Sequence, residues 1–495
     1  MPVTKLFLVG VLPFLALASR SSLESCLNAS SVPYDTPGSD AWDSDVAPFN
    51  TRLPYLPAAI AVPRTTAHIE DAVRCAVDNG VKVSPKSGGH SYASLGLGGE
   101  DGHLVVQMDR MHEVRLENGT AYVQGGARLG HVAVELYEQG GRAISHGTCP
   151  GVGIGGHVLH GGFGMSSYTH GLALDGLTAA TVVLANGTPV RASPTSHSDL
   201  FWALRGAGSS FGIVSEFEFE TFEPPEELTH FEVQLGWNDT ESIVEGWLEL
   251  QSWAEEMPRE MNMRFSVDGR GVGVDGLYHG SRDEMEEIVV PLVEKLGGGE
   301  IVNVTYDWMG QLEAYAFTDE LDLTYPYDLH ENFYAKSLTT HALPRSAIEA
   351  FADYGLRAAS EFIPGPSLNR TWWILVDIHG GANSRISEVP HDSTAYAHRD
   401  KLLLFQFYDR VFSGEYPDDE EEGYGLLDGF VESITGELEE GEWGMYVNYA
   451  DPRVEDVAEE VYFGENVERL RAVKRAVDPE DVFYHPLGIT PRSRE

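Results

Sequence analysis

The segment KSGGHSY at residues 86–92 decides how this chain is interpreted. Two glycines directly precede His90 in it, so the backbone next to the imidazole is not covered by side chains. A second segment, SHGTCPGVGIGG at residues 145–156, leaves the backbone bare around Cys149 in the same way. Taken singly, the first also fits a tight turn, and Cys149 also fits a small buried apolar residue. Glycine lets backbone N–H groups approach a ligand and form anion-binding concavities. Together the segments indicate two loops that each present one nucleophilic side chain to a shared ligand.

Composition narrows the classes of function. The chain has 495 residues, a length that predicts two or three domains, and its 42% hydrophobic and 22% charged content is typical of globular proteins. Its 33 basic and 77 acidic residues give a formal charge of −44. Such a surface repels nucleic-acid phosphates and anionic membranes. We therefore expect no nucleic-acid or membrane partner, whereas neutral and cationic ligands stay open.

The N-terminus has the pattern of a secretory signal. A lysine precedes the apolar run from Leu6 to Leu17, and Ala16 and Ala18 fit a cleavage site, which predicts a signal peptide at residues 1–18 and a secreted, extracellular protein. The run is too short and too broken by proline to span a bilayer. Six Asn-X-Ser/Thr sequons suit that route, at Asn28, Asn118, Asn186, Asn238, Asn303 and Asn369.

Three cysteines predict one disulfide and one remaining thiol. Cys26 and Cys75 lie in ordinary surroundings, and a bond between them would tie the mature N-terminus to a helix. Cys149 is then the thiol left over. A thiol in a secreted protein is prone to oxidation unless something occupies it.

Residues 54–226 alternate helical and strand signals, which predicts an α+β domain. The segments 66–80 and 127–141 read as amphipathic helices, and the first stops at Asn79-Gly80. Between them and after them lie short apolar strands bounded by Gly, Asn or Asp.

After Pro224-Pro225 the chain becomes more aromatic, which predicts a second domain at residues 227–430. The acidic run at 418–425 reads as a solvated loop. Residues 431–495 contain a helix with Val467, Leu470, Val473 and Val477 on one face. Because this tail is too short for a core of its own, it should pack back onto an earlier domain.

Three motif matches are rejected on their context. GVGIGG (151–156) fits a dinucleotide fingerprint, but no strand precedes it and the following HVLHGGFG is too rich in glycine to open a helix. GSSFG (208–212) fits a nucleophile elbow, yet it enters a strand and not a helix. His157 and His160 lack a third ligand at zinc spacing, so hydrogen bonds to backbone are expected and no metal is predicted.

The remaining motifs identify a family by resemblance. KSGGHSY, SHGTCPGVGIGGHVLHGGFG, LFWALRGAGSSFGIVSEFEF, YVNYAD and YFGENVERLRAVKRAVDPEDVF resemble the flavin oxidases of the vanillyl-alcohol-oxidase superfamily. The branch is the berberine-bridge-enzyme-like one, and the likeness is strongest to fungal glucooligosaccharide oxidases, from about Cys26 to Ile489. The resemblance implies a PCMH-type FAD-binding domain, a substrate domain with an antiparallel sheet covered by helices, and a C-terminal segment that returns to the FAD domain.

The resemblance also implies FAD attached twice to the protein. The family's histidine bonds the flavin 8α-methyl and its cysteine bonds ring carbon 6, which correspond to His90 and Cys149. Two tethers leave the ring in an open groove that suits bulky substrates. The candidate cofactor-binding residues are His90, Cys149, Ser87, Gly88, Gly89, Ser91, Gly153, Gly155, Gly156 and Ile213.

The catalytic candidates are Tyr449 and Asp377. The second tyrosine of Y-x-N-Y is the family's base, and the aspartate of WWxxxD is its neighbour, so Asp377 should orient Tyr449 and accept its proton. Tyrosine ordinarily ionises near pH 10 and needs help at working pH. Independently, a carboxylate in the apolar run WWILVDIHGG would be costly without a partner.

The candidate substrate residues combine aromatic platforms and one hydroxyl reader: Tyr92, Trp373, Tyr446 and Gln406. Each of them also fits a core position. Leu375 departs from the glutamine expected in the W-x-Q-x-D strand of the glucooligosaccharide oxidases. A hydrogen-bonding group is lost there, so the preferred sugar stays open.

The resulting expectation is a secreted FAD oxidase that converts the anomeric hydroxyl of mono- or oligosaccharides to a lactone and reduces O2 to hydrogen peroxide. One alternative is a flavin oxidase or dehydrogenase acting on a secondary-metabolite alcohol or amine. Another is a flavin-loaded binding protein without catalysis, which the joint presence of His90, Cys149, Asp377 and Tyr449 disfavours.

Overall fold

The computed structural model describes residues 12–323, 329–361, 370–417 and 419–492. Most of the predicted signal peptide, the sequon residue Asn369 and Asp418 of the acidic run lie outside the described residues. The described chain is an α+β fold with three sheets, which confirms the predicted class. Within it, no helix combines the length and the apolar character needed to cross a membrane.

The first two sheets come from the N-terminal part of the chain. The four-stranded sheet has the order β1-β2-β4-β3, and β4 runs parallel to both β2 and β3. The five-stranded sheet has the order β5-β6-β9-β7-β8 and is antiparallel. Their strands are β1 (Tyr34–Asp35), β2 (Ala59–Ala61), β3 (Val83–Lys86), β4 (Leu104–Gln107), β5 (Val114–Glu117), β6 (Thr120–Gln124), β7 (Leu177–Val183), β8 (Pro189–Ala192) and β9 (Ile213–Glu220).

The third sheet is large and antiparallel, with the order β13-β10-β12-β11-β15-β16-β14-β17. Its strands are β10 (Leu228–Leu235), β11 (Met261–Asp268), β12 (Gly271–Tyr278), β13 (Ile301–Tyr306), β14 (Asn332–Thr340), β15 (Arg370–Ile378), β16 (Leu403–Val411) and β17 (Trp443–Gly444).

Helices cover these sheets. They are α1 (Leu12–Ala29), α2 (Trp42–Asp45), α3 (Thr66–Asp78), α4 (Leu129–Gly140), α5 (Ile154–Leu159), α6 (Ser167–His170), α7 (Ser198–Ala207), α8 (Thr240–Ala254), α9 (Arg282–Lys295), α10 (Trp308–Ala316), α11 (Arg345–Glu361), α12 (Arg385–Glu388), α13 (Glu420–Thr435), α14 (Ala458–Phe463) and α15 (Val467–Val477).

Helices α3 and α4 lie where the periodicity predicts them. The side chain of Thr65 caps α3 by accepting a hydrogen bond from the backbone N–H of His68 (3.3 Å), and Ile69 and Val73 are buried. The helix ends before Gly80, whose φ of +64° lies in the left-handed region that glycine favours. Local signals therefore set both ends of α3.

Two local predictions are wrong. The acidic run does not form a solvated loop, because α13 begins at Glu420. The Asp419 side chain accepts hydrogen bonds from the backbone N–H groups of Glu421 and Glu422, at 3.0 and 3.2 Å. Negative charge at a helix N-terminus is stabilising, so the run starts a helix. The GVGIGG segment also opens a short helix, α5, despite its glycines.

The C-terminal segment contacts both halves of the molecule. Helix α15 packs against α7 and buries Leu470 and Val473, which fits the predicted return to the earlier domain. Strand β17, however, pairs with β14 and extends the large sheet. The domain limits 54–226, 227–430 and 431–495 stay predictions.

The Cys26–Cys75 disulfide is confirmed, with the two Cα atoms 5.7 Å apart, and it joins α1 to α3. We expect Cys26→Ser/Cys75→Ser to lower the free energy of unfolding by about 2–4 kcal/mol, because the unfolded chain regains the entropy of an open loop. Urea denaturation followed by tryptophan fluorescence measures the change. An unchanged midpoint would show that the bond does not stabilise the fold.

Candidate active site

The two glycine-rich loops meet backbone to backbone. A Cβ atom on Gly88 would lie 2.2 Å from the Gly153 nitrogen, and one on Gly153 would lie 2.0 Å from the Gly88 nitrogen. The Ser87 hydroxyl donates to the carbonyl of Gly125 (2.6 Å) and accepts from the N–H of Gly155 (3.3 Å). Gly88 and Gly153 are therefore required by contact between the loops, before any ligand is considered.

Two cationic side chains form hydrogen bonds to backbone carbonyl groups in or next to the loops. The Arg128 guanidinium donates to the carbonyl of Gly88 (2.9 Å) and to that of Gly151. The Lys86 ammonium donates to the carbonyl of Asp45 (2.6 Å). Burial lowers the pKa of Lys86 to about 8, although the charge of Asp45 opposes that shift.

A cavity of about 410 Å³ lies between these loops and the large sheet. A Cβ atom on Gly156 would meet no atom within 4 Å, so packing does not require a glycine there and the wall is open to a ligand. The cavity wall includes every predicted cofactor-binding residue: His90, Cys149, Ser87, Gly88, Gly89, Ser91, Gly153, Gly155, Gly156 and Ile213.

The side chains of His90 and Cys149 occupy that one wall as two different nucleophiles. The His90 ring stacks on Phe49 with the centroids 3.8 Å apart and an interplanar angle of 24°. Burial, assisted by the charges of Arg128 and His330, lowers the pKa of His90 to about 3. The imidazole is therefore neutral. Cys149 is half-buried and lies outside the disulfide.

The opposite wall is one face of the large sheet. Trp373, Leu375 and Asp377 alternate along β15 and all line the cavity. In register, Gln406 of β16 lies opposite Leu375, and Arg264 of β11 lies opposite Asp377. The strands therefore bring a carboxylate, a guanidinium and an amide to the same cavity.

The electrostatics of the catalytic candidates differ from the sequence expectation. Burial raises the pKa of Asp377 to about 7, Arg264 lowers it and Asp275 raises it. Tyr449 ends a short turn, Val447–Tyr449, and its pKa is raised well above the ordinary value by burial and by Asp377, with Arg264 opposing. A tyrosine with help toward ionisation was expected, but here the carboxylate, not the phenol, has a pKa near neutrality.

Arg264 was missed in the sequence, although a lone arginine in the apolar strand MNMRFSVD was an available signal. Its guanidinium pairs with Asp275 (Nε–Oδ1 2.9 Å). The pair of Glu331 and Arg410 in the cavity wall (3.1 Å) was also missed, since 79 residues separate its members.

Three of the four substrate candidates line the cavity. The Tyr92 ring lies parallel to Tyr449, with centroids 5.8 Å apart, and its hydroxyl accepts a hydrogen bond from Gln406 Nε2 (2.6 Å). Trp373 stacks on Tyr408 at 4.5 Å. The Gln406 amide is thus already held in place on one side by Tyr92.

The expectation that Tyr446 forms a sugar platform is wrong. Tyr446 is only 2% exposed and lies outside the cavity wall. Its hydroxyl accepts hydrogen bonds from the N–H groups of Gly162 (2.9 Å) and Phe163 (3.1 Å) and from Asn448 Nδ2 (2.9 Å). These hydrogen bonds connect the segment that carries Tyr449 to the backbone at Gly162 and Phe163.

The hydrogen bonds to backbone that were expected of His157 and His160 are present. The Gly147 N–H donates to His157 Nε2 (2.9 Å), and His160 bonds the carbonyl of Gly156 (2.8 Å). Over the ranges that the structure describes, no cluster of His, Cys, Asp and Glu has the arrangement of a metal site.

Comparison with known proteins adds two family matches. Residues 57–193 match the FAD binding domain family, and residues 445–490 match the family described as berberine and berberine like. The chain is 50% identical, over 483 residues, to a xylooligosaccharide oxidase of Thermothelomyces thermophilus. That alignment covers 96% of this chain and 95% of that protein.

Solved structures share the whole fold. The xylooligosaccharide oxidase from Myceliophthora thermophila C1, in complex with xylobiose, gives a TM-score of 0.91 at 49% identity, over 96% of this chain and all of that one (100%). A glucooligosaccharide oxidase from Acremonium strictum, which carries a 6-S-cysteinyl, 8α-N1-histidyl FAD, gives 0.91 at 46% identity, over 96% and 100%.

The loop contact makes a matched pair of variants informative. Gly88→Ala places a methyl group against the backbone of the other loop, so we expect it to cost on the order of 2 kcal/mol or more of stability. Gly236→Ala, whose methyl group would meet no atom within 4 Å and which lies outside the cavity wall, should leave the free energy of unfolding nearly unchanged. Differential scanning fluorimetry compares the two. Equal melting temperatures would contradict the packing described here.

Proposed function

Because the chain belongs to the FAD-linked oligosaccharide oxidases of the berberine-bridge-enzyme-like family, we propose that it oxidises the anomeric hydroxyl of a mono- or oligosaccharide to the lactone, with O2 as acceptor. The observation that supports this most is one cavity lined by His90, Cys149, Asp377 and Tyr449 together. A binding protein without catalysis has no need of a carboxylate with a pKa near neutrality beside a tyrosine.

FAD fits the residues present. Bound FAD supplies the two-electron acceptor for the cleaved C–H bond. His90 and Cys149 hold it covalently in this proposal, since a neutral imidazole and a thiol are the nucleophiles that such bonds need. The loop with Gly156 open to the cavity gives the cofactor backbone N–H groups at close range.

Tyr449 and Asp377 move the substrate proton. Tyr449 takes the proton from the hydroxyl, and Asp377 accepts the proton that Tyr449 gives up. A base works best when its pKa lies near the working pH, and burial brings Asp377 from the ordinary aspartate range to about 7. Arg264, opposite Asp377 in the sheet, offsets the negative charge that stays on that wall when Asp377 is ionised.

The groove wall bears on the kind of sugar. Trp373 offers a stacking surface beside Tyr408, and Gln406 offers an amide. Leu375 offers no hydrogen bond, so a hydroxyl turned toward it would lose about 1–3 kcal/mol of solvation without replacement. A secondary-metabolite alcohol is the second candidate substrate, because Leu375 would favour a less hydroxylated molecule.

The proposed enzyme is secreted. The signal at residues 1–18 and the sequons support an extracellular enzyme that meets polysaccharide fragments outside the cell. Hydrogen peroxide is then the reduced product.

A substrate panel tests the activity. Peroxide release is measured with xylobiose, cellobiose, diacetylchitobiose and glucose, for the wild type and for Tyr449→Phe. We expect turnover of at least one sugar and a loss of about 100-fold or more in kcat for Tyr449→Phe. Turnover of none of these sugars, together with oxidation of an aromatic or terpenoid alcohol, would favour the second candidate. Full activity of Tyr449→Phe would remove Tyr449 from the mechanism.

The pKa of Asp377 predicts a pH profile. Asp377 must be ionised to accept a proton, so kcat/KM should rise as the pH increases through about 7 and level off above it. Asp377→Asn should lose this limb and at least about 10-fold in kcat at pH 8. Stopped-flow reduction of the flavin between pH 5 and pH 9 measures both. A limb that survives in Asp377→Asn with the same midpoint would belong to another group.

The two proposed tethers predict a graded response. After acid precipitation, His90→Ala and Cys149→Ala should each keep yellow flavin in the pellet through the remaining bond, and the double variant should release it to the supernatant. Absorbance of both fractions near 450 nm measures this. Release of the flavin from either single variant would show that the wild-type protein has only one covalent bond to the flavin.

A further inference from the structure

The segment that carries Tyr449 is held at both of its ends by strand β14. At the first end, the Ser337 hydroxyl accepts a hydrogen bond from the N–H of Tyr446 (2.9 Å) and donates to the carbonyl of the same residue (3.2 Å). Ser337 is fully buried. The backbone therefore enters the turn at a defined point of the sheet.

At the second end, Asp451 is held by buried charge. Its carboxylate is 0% exposed, accepts hydrogen bonds from the Tyr334 hydroxyl at 3.1 Å, and lies 3.2 Å from the Lys336 ammonium. Lys336 also pairs with Asp428 of α13 at 2.5 Å. We refer to Lys336, Asp428 and Asp451 as the ion cluster.

Asp451 also shapes its own backbone. Its carboxylate accepts a hydrogen bond from the N–H of Arg453 (2.9 Å), and its own N–H donates to the hydroxyl of Tyr462 (2.9 Å). The chain direction after Tyr449 is therefore set by the same side chain that the ion cluster holds.

The two anchors lie on opposite faces of β14. Ser337 pairs with Gln406 in register and is on the cavity face, whereas Tyr334 and Lys336 are on the face that α13 covers. Because β14 holds the six-residue span from Tyr446 to Asp451 from both faces, it restricts the rotation of that span as well as its translation.

Stability alone does not explain a buried ion cluster. Removing charges from water costs several kcal/mol per ion, and well-packed apolar residues often stabilise a core equally well. A charged and hydrogen-bonded contact also fixes the orientation of the group that it holds. A core residue does not need a fixed orientation, but a group that transfers a proton does, because a misplacement of about 1 Å can cost about 100-fold in rate.

We propose that Lys336, Asp451 and Ser337 are positioning residues that set the place of the Tyr449 hydroxyl in the active site, an inference that rests on the proposed role of Tyr449. They touch neither substrate nor cofactor in this proposal and act through the turn alone.

The test compares kcat, KM and melting temperature, with kcat normalised to bound flavin by absorbance. Lys336→Met leaves Asp451 buried without its cation, so we expect a lower melting temperature and a fall in kcat of about 10- to 100-fold, with KM changed less than about threefold. Lys336→Met/Asp451→Asn removes both charges. It should recover most of the melting temperature but not kcat.

Arg370→Met is the matched control. Arg370 pairs with buried Asp409 on the face of the large sheet that carries Lys336, but Asp409 belongs to β16 and not to the turn. We expect a similar loss of melting temperature and a kcat within about threefold of the wild type. If Lys336→Met does not accumulate, Ser337→Ala tests the other anchor, with an expected fall in kcat of about 3- to 10-fold at unchanged KM.

The outcomes separate the two proposals. The positioning role would be overturned if kcat recovered together with the melting temperature in the double variant. It would also be overturned if kcat fell as far in Arg370→Met as in Lys336→Met. In both cases an inactive Tyr449→Phe would leave the proposed role of Tyr449 intact. Full activity of Tyr449→Phe would overturn both. Low kcat at recovered stability supports the inference.

Discussion

The approach of two backbones at Gly88 and Gly153 is the constraint on which the rest of the site depends. A side chain at either position would overlap main-chain atoms of the other loop, so the loops meet only because both residues are glycine. Arg128 ties the loops together through the carbonyls of Gly88 and Gly151. This contact brings His90 and Cys149, which are 59 positions apart in the sequence, into the wall of one cavity. A doubly attached cofactor needs that coincidence.

In the proposed mechanism the opposite wall provides the groups that move the proton, and the electrostatics of that wall set their pKa values. The strand pairing places Arg264 opposite Asp377, and burial moves the pKa of that carboxyl to about 7. The same burial raises the pKa of Tyr449, so the phenol keeps its proton until a neighbour takes it. Asp377 is buried, and this burial raises a pKa that in water would be too low for the proposed role as proton acceptor.

The sequence predicted those parts whose causes are local. Helices α3 and α15 follow from apolar spacing and end signals, and each loop motif is a short local pattern that could be read in the sequence. That the two motifs share a cavity follows from the contact between Gly88 and Gly153. The prediction of a solvated loop at the acidic run was wrong, since a charge pattern cannot distinguish such a loop from the capped first turn of a helix. The prediction of Tyr446 as a sugar platform was wrong, because its hydroxyl bonds to Gly162, which lies 284 positions away and which no local pattern links to it. Arg264 and the ion cluster depend on strand register, which only the folded sheet defines.

The central claim is that one flavin joins both loops, and proteolysis of the loaded protein tests it directly. After digestion, mass spectrometry should find the peptide that contains His90 and the peptide that contains Cys149 in a single species, heavier than their sum by one flavin nucleotide less the hydrogens lost in two bonds. A flavin found on one peptide alone, with the other peptide at its unmodified mass, would contradict the account.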